Sequence, residues 1–279
     1  MAAVKRTASW SAVVTARIGL KSETGAAALI IAHPGHELRV YGWLAKARPA
    51  TFVLTDGSGH SGRSRLESTT RVLAGLGAKP ADVYGRLTDK ELYTAMLEGR
   101  VELFSKIVAE IARSLVESKA DIVAGDAIEG FNPGHDLCRV IIDAAVRLAR
   151  KMSDREIRNY DFPLTGRPDS YDGRARSDAV MLELDQQTFD RKIAAARHYG
   201  ELSQDVEEAF SDVGIEAFRF ECLRPAGDSA ADSLGSIPPL YERYGEQRVA
   251  SGYYKQVLRY REHFLPLAEA LSRRASEEL

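Results

Sequence analysis

Apolar and polar positions alternate in long blocks along the chain, and the blocks have two lengths. Residues 27–32 form a continuous apolar run with no polar alternation, as a strand buried on both faces requires. It stops abruptly at "HPGHE", residues 33–37. Residues 37–47 read as a helix, "ATFVLTDGSG" as a second strand entering a Gly-Ser loop, and residues 63–76 as a helix stopped by Gly77. "ADVYG" predicts a short strand. Residues 100–118 place Val101, Leu103, Phe104, Ile107, Val108, Ile111 and Leu115 at helical spacing, which predicts an amphipathic helix. "ADIVAG" predicts another buried strand, and residues 136–150 another helix. Strands alternating with helices imply an α/β fold of Rossmann-like kind, a parallel sheet sandwiched by helices. Ligands of such sheets bind beyond the carboxyl ends of the strands.

The rhythm changes near residue 150. "SDAVMLEL" and "GIEAFRFECL" predict strands, with a helix over 186–200 between them. Residues 226–239 are rich in Gly, Ser, Asp and Pro. A helical C-terminus carrying many Tyr and Arg follows, expected to pack as a cap on the body. The organisation predicted is an N-terminal extension (1–26), an α/β domain (27–225) and a C-terminal helical extension (226–279).

Composition narrows the classes. At 279 residues with a formal net charge of -2, nothing in the bulk charge calls for nucleic acid or an acidic membrane. No run approaches the ~18–20 apolar residues of a membrane span. Cys138 and Cys222 cannot build a disulfide framework and read as thiols of a reducing compartment, which predicts a cytoplasmic protein. Lys5 and Arg6 precede the first acid, Glu23, but the apolar part of residues 1–26 is short and broken, so an extension is expected rather than a targeting peptide.

Six histidines are present, and three of them sit in two Pro-Gly turns at predicted strand ends: "HPGHE" and "NPGHD". His33, His36 and His135 are therefore candidate metal ligands. Neutral imidazole suits zinc, and a catalytic zinc site takes three protein ligands and leaves a fourth position for water. Glu37 and Asp136 are candidate carboxylates behind a ligand imidazole, or acids at helix N-termini. The competing expectation is a set of hydrogen-bonded turn residues, since His-x-x-His is a weak pattern by itself.

These stretches resemble the PIG-L/LmbE-like N-acetylglucosaminyl de-N-acetylase family. "AHPGHE" is similar to its His-Pro-Asp-Asp-Glu signature and "NPGHD" to its His-Pro-Asp-His motif. Between them, "LTDGSG" is similar to its Gly-rich loop, "RSRLES" with "LAGLGA" to its Arg- and Glu-bearing helix ending in Leu-Gly, and "RLTDKEL" to its Leu-Pro-Asp-Gly segment. "FDRKIAAARHY" resembles its later Lys-containing helix. The likeness spans residues 27–222. It implies a zinc-dependent hydrolase that removes an N-acetyl group from a sugar, with one zinc per chain, although imidazole ligands suit iron, nickel and copper as well. His33 and His135 match ligands, and His36 stands where the family has an Asp ligand. Arg65 and Asp89 match sugar-contacting positions. A sugar or glycoconjugate substrate, no nucleic acid or membrane partner, and a homo-oligomer fit the same picture.

Two departures bear on mechanism. Gly35 replaces the Asp that acts as general base in the family. Asn132 and Gly134 replace the His and Asp of the second motif, where the His stabilises an oxyanion. Three neutral imidazoles leave more charge on zinc than two imidazoles and an Asp, which favours an ionised water without an adjacent base. Asn132 still offers a hydrogen-bond donor to an oxyanion. Asp126, ending a strand, and His60, in the loop after the second strand, are candidate bases. An ester or unusual amide as substrate, or a non-catalytic sugar-binding role, are the alternatives.

Overall fold

The computed structural model describes residues 26–59, 61–169, 179–227 and 238–277. Seven strands form one mixed, mostly parallel sheet: β1 Ala26–Ile31, β2 Ala50–Thr55, β3 Lys79–Leu87, β4 Ala120–Asp126, β5 Arg158–Phe162, β6 Val180–Glu183 and β7 Phe220–Pro225, in the order β3-β2-β1-β4-β5-β7-β6. Strands β1 to β5 pair in parallel. The expectation of a wholly parallel sheet needs correcting at one edge, because β7 runs antiparallel to both β5 and β6. The architecture is α/β and compatible with a Rossmann-like fold.

Helices cover both faces: α1 Tyr41–Ala47, α2 Leu66–Leu76, α3 Asp89–Leu97, α4 Val101–Glu117, α5 Pro133–Ser153, α6 Gln186–Arg197, α7 Ser203–Val213, α8 Leu240–Ala250 and α9 Leu265–Glu277. Successive residues of β1 serve opposite layers, which is why its sequence is apolar throughout. Ile30 packs with Phe104 and Ile111 of α4, Ile141 of α5 and Leu271 of α9. Leu29 and Ile31 pack with Trp43 and Leu44 of α1 and Leu73 of α2. The C-terminal extension thus joins the core through α9. No helix among the described residues is long and apolar enough to cross a membrane.

Several elements differ from the sequence expectation. The helix expected at 37–47 opens as a 3-10 turn, His36–Val40, before α1. The helix expected from 63 begins at Leu66, and "ADVYG" lies inside the longer β3. Strand β5 and helix α7 were not expected. "GIEAFRFECL" divides into a 3-10 turn, Ile215–Arg219, and β7.

The antiparallel edge contributes one fixed point near the histidines. Glu221 of β7 accepts the N–H groups of Gly42 (2.8 Å) and Trp43 (2.9 Å), capping the start of α1 from across the sheet. Lys192 of α6 pairs with the same carboxylate at 2.8 Å and donates to the carbonyl of Arg39. Both side chains are buried, and both Glu221 oxygens are engaged.

Candidate functional site

The chain passes from β1 to β2 and β3 on one side, then returns to place β4 on the other side of β1. In such sheets ligands bind at that reversal, beyond the carboxyl ends of the strands, here β1 and β4. The turn after β1 carries His33 and His36. Asp126 ends β4, and α5 begins with Pro133 and presents His135 in its first turn. The fold therefore gathers residues about a hundred positions apart.

The three imidazoles meet edge to face. Ring centroids are 5.4 Å apart for His33 and His36, 5.0 Å for His33 and His135, and 4.5 Å for His36 and His135. Three imidazoles on one tetrahedral zinc, with Zn–N of about 2.0–2.1 Å, would set their centroids ~5 Å apart. Ordinary edge-to-face contacts cover the same range, so the groups behind the rings carry more weight. Among the described residues, no trio of His, Cys, Asp or Glu stands in a geometry that would hold a metal ion as it is. The donor set fits zinc in chemistry and proximity, and the rings would have to turn to close around an ion.

Each of the first two rings is held from behind. His36 Nδ1 lies 3.0 and 2.9 Å from the two oxygens of Asp126. His33 Nδ1 lies 2.9 Å from Asp89 Oδ1 and 2.7 Å from Thr55 Oγ1. The ionised Asp89 has no hydrogen to give, so His33 carries a proton on Nδ1, and His36 does the same when Asp126 is ionised. Thr55 donates in turn to Asp89, and Asp89 Oδ2 accepts the Gly59 N–H at 2.6 Å. Burial pushes the Asp89 carboxyl up, but bonds from His33, Thr55 and Gly59 outweigh it and hold the group below the ordinary carboxylate range. His135 differs: its Nδ1 is buried with no hydrogen-bond partner among the described residues. Burial, then the neighbouring imidazoles, keep His36 and His135 well below the ordinary histidine range, as neutral rings. Neutral imidazole is the metal-binding form.

The expected assignments need revision at four carboxylates. Glu37 and Asp136 do not back an imidazole; each is the acid in the first turn of its helix, the other role expected of them. Glu37 accepts the Gly35 N–H (2.7 Å) and the Thr69 hydroxyl (2.8 Å), and burial raises it to about 7. Asp136 accepts the N–H groups of Glu129 and Gly130 and fixes the loop before α5. The carboxylates behind the rings are Asp126 and Asp89, expected as a base and a sugar contact. Asp126 is fully buried, is pushed up to about 7 by that burial, and also accepts the Ala32 N–H at 2.8 Å, so it does not face a substrate. Asp89 is spent on His33, Thr55 and Gly59. Thr55 escaped the sequence reading. Its only signal is its position at the end of β2.

Asn132 caps α5: its Oδ1 accepts the Gly134 N–H at 2.8 Å, leaving the amide NH2 to act elsewhere. Arg65 donates Nε to the Gly57 carbonyl, and its field acts on His36, His135 and Glu37. Its terminal nitrogens have no hydrogen-bond partner among the described residues. His60 lies outside the described residues.

Two glycines matter sterically. Gly35 has φ 110°, and a Cβ there would meet Leu202 Cδ1 at 2.3 Å. A Cβ at Gly134 would stand 3.2 Å from His33 Nε2 and 3.1 Å from Leu92 Cδ2. Two surface hollows, one beside Met96, Gly99 and His263 and one along Phe189 and Ile193, lie away from the histidines and gather no buried titratable groups. No family model matches the chain, and no curated protein matches it.

Proposed function

We propose that this chain is a metal-dependent hydrolase with zinc as its metal, similar to the PIG-L/LmbE-like de-N-acetylases, removing an N-acyl group, N-acetyl first of all, from a sugar. One observation carries the reading: His33 and His36, each backed by a carboxylate, meet His135 at the sheet's reversal point. Carboxylate-backed imidazoles are the usual form of metal-ligating histidine. Nothing in the packing of β1 against β4 requires three imidazoles at this point of the sheet.

His33, His36 and His135 would hold the ion. Zinc supplies Lewis acidity, polarising a carbonyl and acidifying water. The remaining work falls to the chain. Asp89 and Asp126 fix the ring tautomers of His33 and His36 and raise their basicity. Their charge also offsets part of the ion's, so three neutral imidazoles leave a weaker field than the ligand count alone implies. The Asn132 amide donates to a developing oxyanion beside the positive end of the 21-residue helix α5. Arg65 binds a substrate oxygen with its terminal nitrogens. Leu202 fills the place of a side chain at position 35, so no residue there takes a proton. Zinc-dependent release of acetate from N-acetylated sugars, lost in His135→Ala, is the expected result. Acetate release that persists in His135→Ala, or none with zinc supplied, overturns it.

A second reading, a sugar-binding protein without catalysis, has two observations in its favour. Among the described residues no trio is closed for a metal ion, and a side chain at position 35 would meet Leu202. Ester substrates fit the same residues and belong in the same assay.

A further inference from the structure

The C-terminal segment builds a surface that the histidine chemistry does not use. The Tyr241 N–H donates to the Gly130 carbonyl at 3.3 Å, tying the start of α8 to the loop that leads through Asn132 into α5 and His135. Further on, Leu258 donates its N–H to the Tyr93 hydroxyl at 3.1 Å, and the Tyr254 ring lies 5.3 Å from that of Tyr93. Tyr93 is one turn along α3 from Asp89. The segment 240–258 therefore leans on two elements that carry the site.

On its outer side this segment gathers tyrosines around one cation. Arg248 stands 4.1 Å from the ring centre of Tyr253, 5.6 Å from that of Tyr244 and 5.8 Å from that of Tyr254. Tyr253 is 68% exposed and Tyr244 54%. Acids are close by in sequence, yet Glu242 and Glu246 both pair with Arg259. Arg248 has no carboxylate partner among the described residues, and its Nε is buried without a hydrogen-bond partner. Phe131, next to Asn132 in sequence, is 55% exposed.

Exposed tyrosines offer flat apolar faces with hydroxyl tips at little cost in side-chain freedom. The C–H face of a sugar ring stacks on such a surface. An unpaired guanidinium selects a planar anion and can bind it through two hydrogen bonds. We propose that Arg248 with Tyr244, Tyr253 and Tyr254 is a subsite for an anionic sugar unit, one carrying a carboxylate or phosphate, within a saccharide whose N-acylated unit reaches the histidines. The inference rests on the sugar-hydrolase reading for its substrate class. Nucleic acid would also stack on tyrosine, but one unpaired cation on a chain of net charge -2 makes a poor track for a phosphate backbone.

The test is calorimetric titration of the intact protein with a tetrasaccharide alternating N-acetylglucosamine and glucuronic acid, the neutral tetrasaccharide of N-acetylglucosamine, N-acetylglucosamine 1-phosphate and a single-stranded oligonucleotide. One charge-assisted contact predicts that an acidic ligand binds about 10- to 100-fold tighter than the neutral one. Arg248→Leu abolishes that preference, Arg248→Lys keeps part of it, and Tyr253→Ala weakens both tetrasaccharides. The phosphate arm tells which anion is preferred. Equal affinity for acidic and neutral sugars, no saccharide binding, variants binding like the parent, or tighter binding of the oligonucleotide overturns the proposal. His36→Ala separates the two readings. Arg248-dependent binding retained there, without hydrolysis by the parent, sinks the hydrolase alone. Hydrolysis without Arg248-dependent binding sinks the subsite alone.

Discussion

Two buried polar clusters flank the first turn after β1, and they are built on opposite plans. In the Lys192–Glu221 pair the charges cancel, and both carboxylate oxygens are filled by Gly42, Trp43 and Lys192. The histidine cluster is unfinished. The His36 and His135 rings are held neutral, His33 and His36 are fixed from behind by Asp89 and Asp126, and His135 Nδ1 has no partner among the described residues. A closed cluster holds elements together, whereas polar atoms left without partners in a buried site are costly unless a ligand uses them. On the proposed reading the first cluster belongs to the fold and the second to function.

Breaking the closed cluster should cost the most. Lys192→Met leaves the Glu221 charge buried and unpaired, and denaturant unfolding should show a loss of about 3–5 kcal/mol. Adding Glu221→Gln removes that charge, keeps an acceptor for α1 and should recover most of the loss. If Lys192→Met unfolds like the parent, the pair is not structural.

Position 35 sharpens the comparison next. Gly35→Asp reinstates the residue type of the resembled family, but at φ 110° and against Leu202. It should destabilise by about 1–3 kcal/mol and add no hydrolytic activity. A gain in activity would mean that the turn can relax to admit a base.

The open cluster should respond differently. Asp126→Asn keeps an acceptor for the Ala32 N–H, so stability should change little. Zinc affinity should fall about 10- to 100-fold, as for other residues behind metal ligands. Equal zinc affinity in parent and variant would remove Asp126 from the site.

The smallest effect is expected at Thr88. It caps α3 in a reciprocal box with Glu91, and α3 opens with Asp89. Thr88→Ala should cost about 1 kcal/mol in unfolding and loosen His33 only slightly.

The histidine motifs were legible because each follows an apolar strand: His33 and His36 come directly after β1, and His135 opens α5 a short loop after β4. Strands β1 and β4, buried on both faces, leave an unbroken signal. Strand β5 escaped because "RNYDF" buries only Tyr160 and Phe162 in five residues, too short a pattern to separate from a loop. Helix α7 escaped because no residue of "SQDVEEAFSDV" is fully buried. Which carboxylate backs which ring was hidden for another reason. Glu37 and Asp136 adjoin ligand candidates in sequence, but a residue next to His36 points into the adjoining turn. Asp126 reaches His36 across 90 positions because β4 lies beside β1. Sequence adjacency favoured the wrong pair, and strand pairing decided it.

The most direct measurement is calorimetric zinc binding to the metal-stripped protein, beside His36→Ala and His135→Ala variants with unfolding curves matching the parent. The account predicts about one zinc per parent chain and a large loss of affinity in each variant. Parent protein that takes up no zinc, or variants that bind it as the parent does, would contradict a metal centre at the histidines.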